Sequence, residues 1–342
     1  MDVLSGILLL CLAVGLYVVC SLYFLHNPWI LHKRKQLKFF CRNISHRAGS
    51  GEKIENTMEA FTHAVSVGTE MLEMDCHITS DGHVVISHDD NLMRQTGYDQ
   101  TDLPLYKERL EVTFNVGHYS TGKDRKFVLL EDVFKKFPSI PIILEIKVNN
   151  DLLIKKVSDL VKQYSRESIT VWASEESGIM AKCKEQNPSM PYMFTVKRGI
   201  LLLLLFYTGL LPFVPLGESL LVFYLPRIFN RTYIPEEAIL QKSFVVYLIQ
   251  KLTMRKSLFE HLTKRGIQVQ LIVCNEESDM EAAFAVGATG VMSDYPTLLT
   301  NYIRKHPPPP PPTIIGSVGS NARHIIRLLF QVTSKVTHYF ET

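Results

Sequence analysis

The chain has 342 residues, 46% of them apolar and 21% charged, with a formal net charge of +3. That length suits one large α/β domain with additions, and so small a charge leaves no footprint for nucleic acid. Cysteines at 11, 20, 41, 76, 183 and 274 show no CxxC spacing, which argues against a zinc ribbon or a disulfide framework.

Residues 3–25 carry no charge and are long enough to cross a bilayer as a helix. The run is too long for an ordinary signal peptide and no A-x-A site follows, so 1–28 read as an uncleaved anchor. Lys33, Arg34, Lys35, Lys38 and Arg42 follow, against only Asp2 on the other flank. The positive-inside rule then puts the rest of the chain on the cytosolic face; a luminal site would mean that the charge rule fails here.

From residue 42 onward short strand-like runs alternate with helical ones. Strands are predicted at 42–46, 70–77, 83–88, 141–148, 169–174, 191–196, 267–274 and 290–296, and helices at 55–67, 129–137, 151–164, 176–186, 254–265 and 276–286. Ser80-Asp81-Gly82 is a turn, so the run at 83–88 is either antiparallel to its predecessor or the next strand around a rim. About eight such units predict a TIM (β/α)8 barrel, bounded here at 40–305.

The alternation breaks at 199–228, where Glu218 and Arg227 are the only charges and prolines stand at 212, 215 and 226. A full crossing there would leave strands on both sides of the membrane and no barrel could close. The block is therefore expected to be a membrane-associated insertion that dips into one leaflet and returns beside the barrel mouth. Six prolines at 307–312 predict a polyproline rod, and 306–342 read as a linker and tail.

Charged residues cluster where such strands end. Glu73 and Asp75 lie at i and i+2, so a strand turns both carboxylates to one face, as it does Glu145 and Lys147. Paired carboxylates repel unless a cation sits between them, and oxygen donors suit Mg²⁺ or Ca²⁺. His46-Arg47 ends the first strand and His88 the third. Glu52 and Glu55 are nearby carboxylates, with Glu55-Asn56-Thr57 read as a helix start. His77 reads as a satisfied structural histidine.

HR-x-G-x(2)-E-x(2)-ENT-x(2)-AF at 46–61, then E-x-D-x(3)-T-x-DG-x-VV-x(2)-HD-x(2)-L-x-R-x-TG at 73–97, with EIK at 145–147 and GVMSDYP at 290–296, resembles the glycerophosphodiester phosphodiesterase family. With its anchor and apolar block the chain looks most like the membrane-bound mammalian lysophospholipase D branch. The resemblance implies one divalent cation, Mg²⁺ or Ca²⁺, on Glu73, Asp75 and Glu145. It implies catalytic His46 and His88, and phosphate-binding Arg47 and Lys147. It further implies a lysophospholipid substrate, no protein partner, and an endoplasmic reticulum or perinuclear membrane. Water-soluble glycerophosphodiesters are the alternative substrate, and an inactive membrane scaffold the alternative of another class. Two positions depart from the pattern: Ala48 stands where the family usually has Gly, and Ile272 where it commonly has Trp.

Overall fold

The strands are short, Val/Ile/Leu-rich runs, buried on both faces, and most are followed by a helix that covers them. The computed structural model describes residues 3–89, 91–96, 121–235 and 237–307. In chain order its elements are α1 (Val3–His26), β1 (Asn43–Ser45), α2 (Met58–Val67), β2 (Met71–Ile78), β3 (Val84–Ile86), α3 (Met93–Thr96), β4 (Val128–Leu129), α4 (Leu130–Lys136), β5 (Ile142–Ile146), α5 (Asp151–Gln163), β6 (Thr170–Ala173), α6 (Ser177–Gln186), α7 (Val196–Tyr207), β7 (Leu220–Tyr224), α8 (Ser243–Thr253), α9 (Lys256–Lys264), β8 (Gln268–Ile272), α10 (Glu277–Ala285), β9 (Gly290–Ser293) and α11 (Pro296–Lys305).

β1, β2, β5 and β6 pair in parallel in that order, as do β7, β8 and β9, and β9 returns to β1 with Ser45 opposite Ser293. Residues 191–194 fill the gap between β6 and β7. Trp172 N–H donates to Pro191 O, Met193 N–H to Trp172 O and Phe194 N–H to Leu220 O. The barrel is closed. Its interior is packed by Ile44, Met71, Ile143, Val171, Leu220 and Met292, and apolar layers between sheet and helices surround it.

The structure departs from the sequence expectation in three places. The run at 83–88 is not a barrel strand: β3 pairs antiparallel with the projecting end of β2, Cys76 opposite Ile86 and Ile78 opposite Val84. The block at 199–228 is not one insertion, because Leu220–Tyr224 is barrel strand β7; only α7 and the turn after it lie outside the sheet. Helix α8 was not expected, since SFVVYLIQKLT has the apolar density of a strand as much as of a helix. The proline run beyond 307 and the tail lie outside the described residues.

Among the described residues α1 alone is long and apolar enough to cross a membrane. Its lower half is docked. Tyr17 Oη donates to Thr208 O (2.5 Å), Ser21 Oγ to Gly209 O (2.7 Å), and Phe24 meets Phe213 edge-on. The imidazole of His261 bonds Leu25 O at 2.8 Å. α1 is thus tied to the turn that follows α7.

Candidate active site

The register of the barrel assembles the site at the carboxyl ends of the strands. Asp75 on β2 lies opposite Glu145 on β5, and Glu73 stands two residues earlier on the same face. Ligand oxygens of Glu73, Asp75 and Glu145 all lie within 4.8 Å of one another. Burial and the Asp75 charge push the Glu73 carboxyl up to about 8. Burial also opposes ionisation of Asp75, but Lys147, His88 and Arg47 outweigh it and hold its pKa well down. Lys147 Nζ sits 3.3 Å from Asp75 Oδ1 and 3.1 Å from Glu145 Oε1.

Three convergent oxygen donors fit a hard divalent cation. A buried atom supports the fit: Asp75 Oδ2 accepts no hydrogen bond from the described residues, an expensive arrangement unless another ligand satisfies it.

His46 follows β1, and the pairing of Ser45 with Ser293 sets it beside Asp294. Its Nδ1 donates to Asp294 Oδ1 at 2.7 Å. Asp294 also accepts from Ser50 Oγ (2.5 Å) and Asn275 Nδ2 (2.7 Å). Burial disfavours its charge, but the His46 charge and these hydrogen bonds prevail, so its pKa lies below the ordinary aspartate value. A carboxylate fixed in this way settles the tautomer of His46, with the proton on Nδ1. Asp294→Asn is expected to lower kcat by about 10²-fold or more with little change in KM. Steady-state rates across pH check this, since a merely structural role would move stability instead.

His88 comes back to the mouth because β3 reverses the chain: Ser87 N–H donates to Asp75 O at 2.9 Å. Its Nδ1 donates to Asp89 Oδ1 at 2.5 Å. Arg94 Nε donates to Asp89 Oδ2 at 2.6 Å, and the same guanidinium donates to Glu55 at 2.7 and 3.0 Å. Glu55 in turn lies 3.6 Å from Arg47. Glu55 therefore belongs to the ion network beneath the site, and the helix start is Thr57, whose Oγ1 accepts from Ala60 N–H. Glu52 turns away to His63 and Thr297. His77 bonds the His88 carbonyl at 3.2 Å and so positions that loop.

Arg47 and Ala48 both adopt left-handed backbone, with φ of 46° and 67°. That conformation is unfavourable for any residue with a Cβ, which explains a Gly preference at position 48. The turn points Arg47 N–H at Glu73 Oε2 (2.7 Å) and buries the guanidinium 3.9 Å from Asp75 Oδ2.

All seven expected site residues, His46, Arg47, Glu73, Asp75, His88, Glu145 and Lys147, line one cavity of about 330 Å³. Ile272, the second departure, lines it too. Sequence reasoning missed Asp294, Asn275, Asp89 and Arg94. All but Asn275 stand inside the quoted motifs, but Asp294 stands 248 residues from His46, so the pairing of the two was not legible.

Two imidazoles, each braced by a carboxylate, beside a cation-binding trio suit hydrolysis of a phosphoric diester, in which one proton is taken and another given back. Residues 46–298 match the model of the glycerophosphoryl diester phosphodiesterase family. The chain is 48% identical to human lysophospholipase D GDPD3 over 301 residues, 86% of this chain and 95% of that one. It is also 48% identical to human lysophospholipase D GDPD1 over 297 residues, 85% and 95% of the two chains. The fold is shared with a glycerophosphoryl diester phosphodiesterase domain from Mycobacterium tuberculosis (TM-score 0.58, 16% identity, 77% and 99% of the two chains). It is also shared with a phosphodiesterase from Oleispira antarctica in complex with sn-glycerol-3-phosphate (TM-score 0.53, 19% identity, 78% and 98%). This chain belongs to the glycerophosphoryl diester phosphodiesterase family and is a phosphoric diester hydrolase.

Proposed function

We propose that the chain is a membrane-anchored, divalent-metal-dependent lysophospholipase D. It converts lysophosphatidylcholine, lysophosphatidylethanolamine or N-acyl lysophosphatidylethanolamine to lysophosphatidic acid and the head-group alcohol. The observation that carries this reading is the two-ended cavity. Its polar end holds the histidines, carboxylates and Lys147, and its other end is walled by Phe194, Ile200, Leu203, Phe223, Leu258 and Phe259. A phosphate at the first end leaves the second to an acyl chain, which a soluble diester does not need. Elsewhere on α7 Leu204 and Tyr207 are exposed, and the turn that follows is bonded to the anchor helix, which supports access to the apolar wall from a leaflet. The human relatives carry the same activity in their names.

In this reading residues 1–28 anchor, 40–305 catalyse, and 306–342 form the tail. The basic cluster at 33–42 supports a barrel on the cytosolic face, and the family resemblance supports an endoplasmic reticulum or perinuclear membrane.

Arg47 and Lys147 hold the non-bridging phosphate oxygens and neutralise charge that builds in the transition state. Bound Mg²⁺ or Ca²⁺ on Glu73, Asp75 and Glu145 would supply Lewis acidity at the same phosphate. His46 Nε2 takes the proton of the attacking water or substrate hydroxyl as the new P–O bond forms. His88 gives a proton to the departing head-group oxygen as the old bond breaks. Attack by the glycerol's own hydroxyl yields a cyclic phosphate first, and water then opens it.

Choline release from lysophosphatidylcholine and from glycerophosphocholine, by detergent-solubilised full chain with Mg²⁺, Ca²⁺ or a chelator, tests the proposal. Metal-dependent turnover favouring the lysolipid is expected. Turnover of the soluble diester alone makes α7 a mere anchoring element, and turnover of neither leaves a scaffold.

A further inference from the structure

A surface helix of a soluble domain turns its apolar stripe to the core, and α8 does the opposite. Phe244, Tyr247, Leu248 and Leu252 recur at the spacing of one helical face, and all four are exposed, Phe244 by 71%. On the other side Val245, Val246 and Ile249 are half-buried. The helix is thus apolar all round, with Lys251 its only charge. A contiguous exposed apolar patch marks an interaction surface. Thr253, the last residue of α8, lines the catalytic cavity, so this surface borders the site.

Two observations say what covers it. The first is continuity with the anchor. Tyr207 Oη of α7 donates to Leu252 O at 2.8 Å. Leu204, one turn before Tyr207, and Leu248, one turn before Leu252, are exposed on the same faces of their helices. The turn after α7 exposes Leu210 and Phe213, and Tyr17 of α1 stacks on Phe213 with ring centroids 6.5 Å apart. A connected series of exposed apolar residues therefore runs from α1, the one described helix long and apolar enough to cross a bilayer, through α7 to α8.

The second is charge. Between Glu237 and Glu260 the chain carries Lys242, Lys251, Arg255 and Lys256 and no acid, and all four cations are exposed. Lys251 Nζ lies 5.5 Å from the centroid of the Tyr247 ring, a pose in which a lysine stem shares the apolar stripe while its ammonium stays at a polar boundary. A second copy docked on this face would bring like charges together. A leaflet instead offers phosphates above acyl chains and matches both parts of the surface. We infer that α8 is a second membrane contact: it lies in the plane of the leaflet that α1 enters, its exposed stripe among the acyl chains and its cations at the head-group phosphates.

The inference rests on the anchor reading and not on the reaction, and the test keeps the two apart. Full-length protein is placed in lipid nanodiscs of phosphatidylcholine with a minority of phosphatidylserine. Phe244→Trp is the probe and Leu248→Trp its duplicate, with the wild-type emission of Trp29 and Trp172 subtracted. Lipid brominated near the top of its acyl chains is expected to quench the added emission by about half or more, and aqueous iodide by about one fifth or less. Leu152→Trp, exposed on α5, should give the reverse. Co-elution with the nanodisc reports the anchor separately. Added emission open to iodide and untouched by bromolipid overturns the docking of α8 while co-elution upholds the anchor. Emission shielded from both quenchers places protein on this face and overturns the leaflet as its occupant. Bromolipid quenching of Leu152→Trp as strong as that of Phe244→Trp also overturns it, since the contact is then not one that α8 makes. A chain that does not co-elute overturns anchor and docking together.

Discussion

His46→Ala is expected to cut kcat by about 10³-fold or more, because the attacking oxygen then loses the base that receives its proton. His88→Ala should cost a similar factor on natural substrates, but for a different reason: the departing alkoxide must leave without a proton. The two are told apart by changing the leaving group. On a nitrophenyl phosphodiester, whose leaving group departs readily as an anion, the His88→Ala deficit should shrink sharply while the His46→Ala deficit persists. Equal deficits on both substrates would reverse or dissolve the assignment. The double variant should be little worse than the worse single one, since the two histidines serve one transition state.

Neutralising the acidic trio is the second large effect. Asp75→Asn should abolish measurable turnover. Its carboxylate is buried against Glu73 and opposite Glu145, so nothing else presents that oxygen to a cation. Stability gives an independent readout. A cation at 100 times its Kd adds about 2.7 kcal/mol to the folded state, which for a barrel of this size raises Tm by roughly 5–10 °C. Mg²⁺ or Ca²⁺ should therefore raise the Tm of the wild-type chain, and a chelator reverse it. In Asp75→Asn the cation-dependent shift should vanish. The metal-free variant should be less stable than metal-free wild type, because Lys147, His88 and Arg47 favour the Asp75 charge that it removes, so the cation-dependent shift is read within each variant. Full activity in chelator, or a cation response that survives in Asp75→Asn, would remove the metal from this site.

Much of this was legible in the chain because the chemistry is local in sequence. An i, i+2 pair such as Glu73 and Asp75 declares its shared face from strand periodicity alone, and Glu145 and Lys147 do the same. The closed barrel followed from the alternation of runs. What could not be read was whatever depends on closure or on a choice between equally apolar alternatives. Asp294 could be placed beside His46 only once β9 paired with β1 and closed the barrel. The run at 83–88 has the pattern of a barrel strand, and only its pairing with the overhang of β2 shows that it folds back. Leu220–Tyr224 vanished into an apolar block because a strand that is apolar on both faces carries no alternation. Residues 191–194 fall short of a full ladder on either side, yet the run at 191–196, with Tyr192, Phe194, Thr195 and Val196, reads as a strand.

The seam between β1 and β9 has a further consequence. It joins Ser45 to Ser293, and the His46–Asp294 pair straddles it, so half of one catalytic dyad is made early on the ribosome and half near the end. Contacts of such long sequence separation form late. A nascent or truncated chain that lacks the last strand carries His46 and the metal-binding carboxylates but no partner to orient the imidazole. In the proposed mechanism a chain without its last strand has no oriented base, so it is expected to show no turnover.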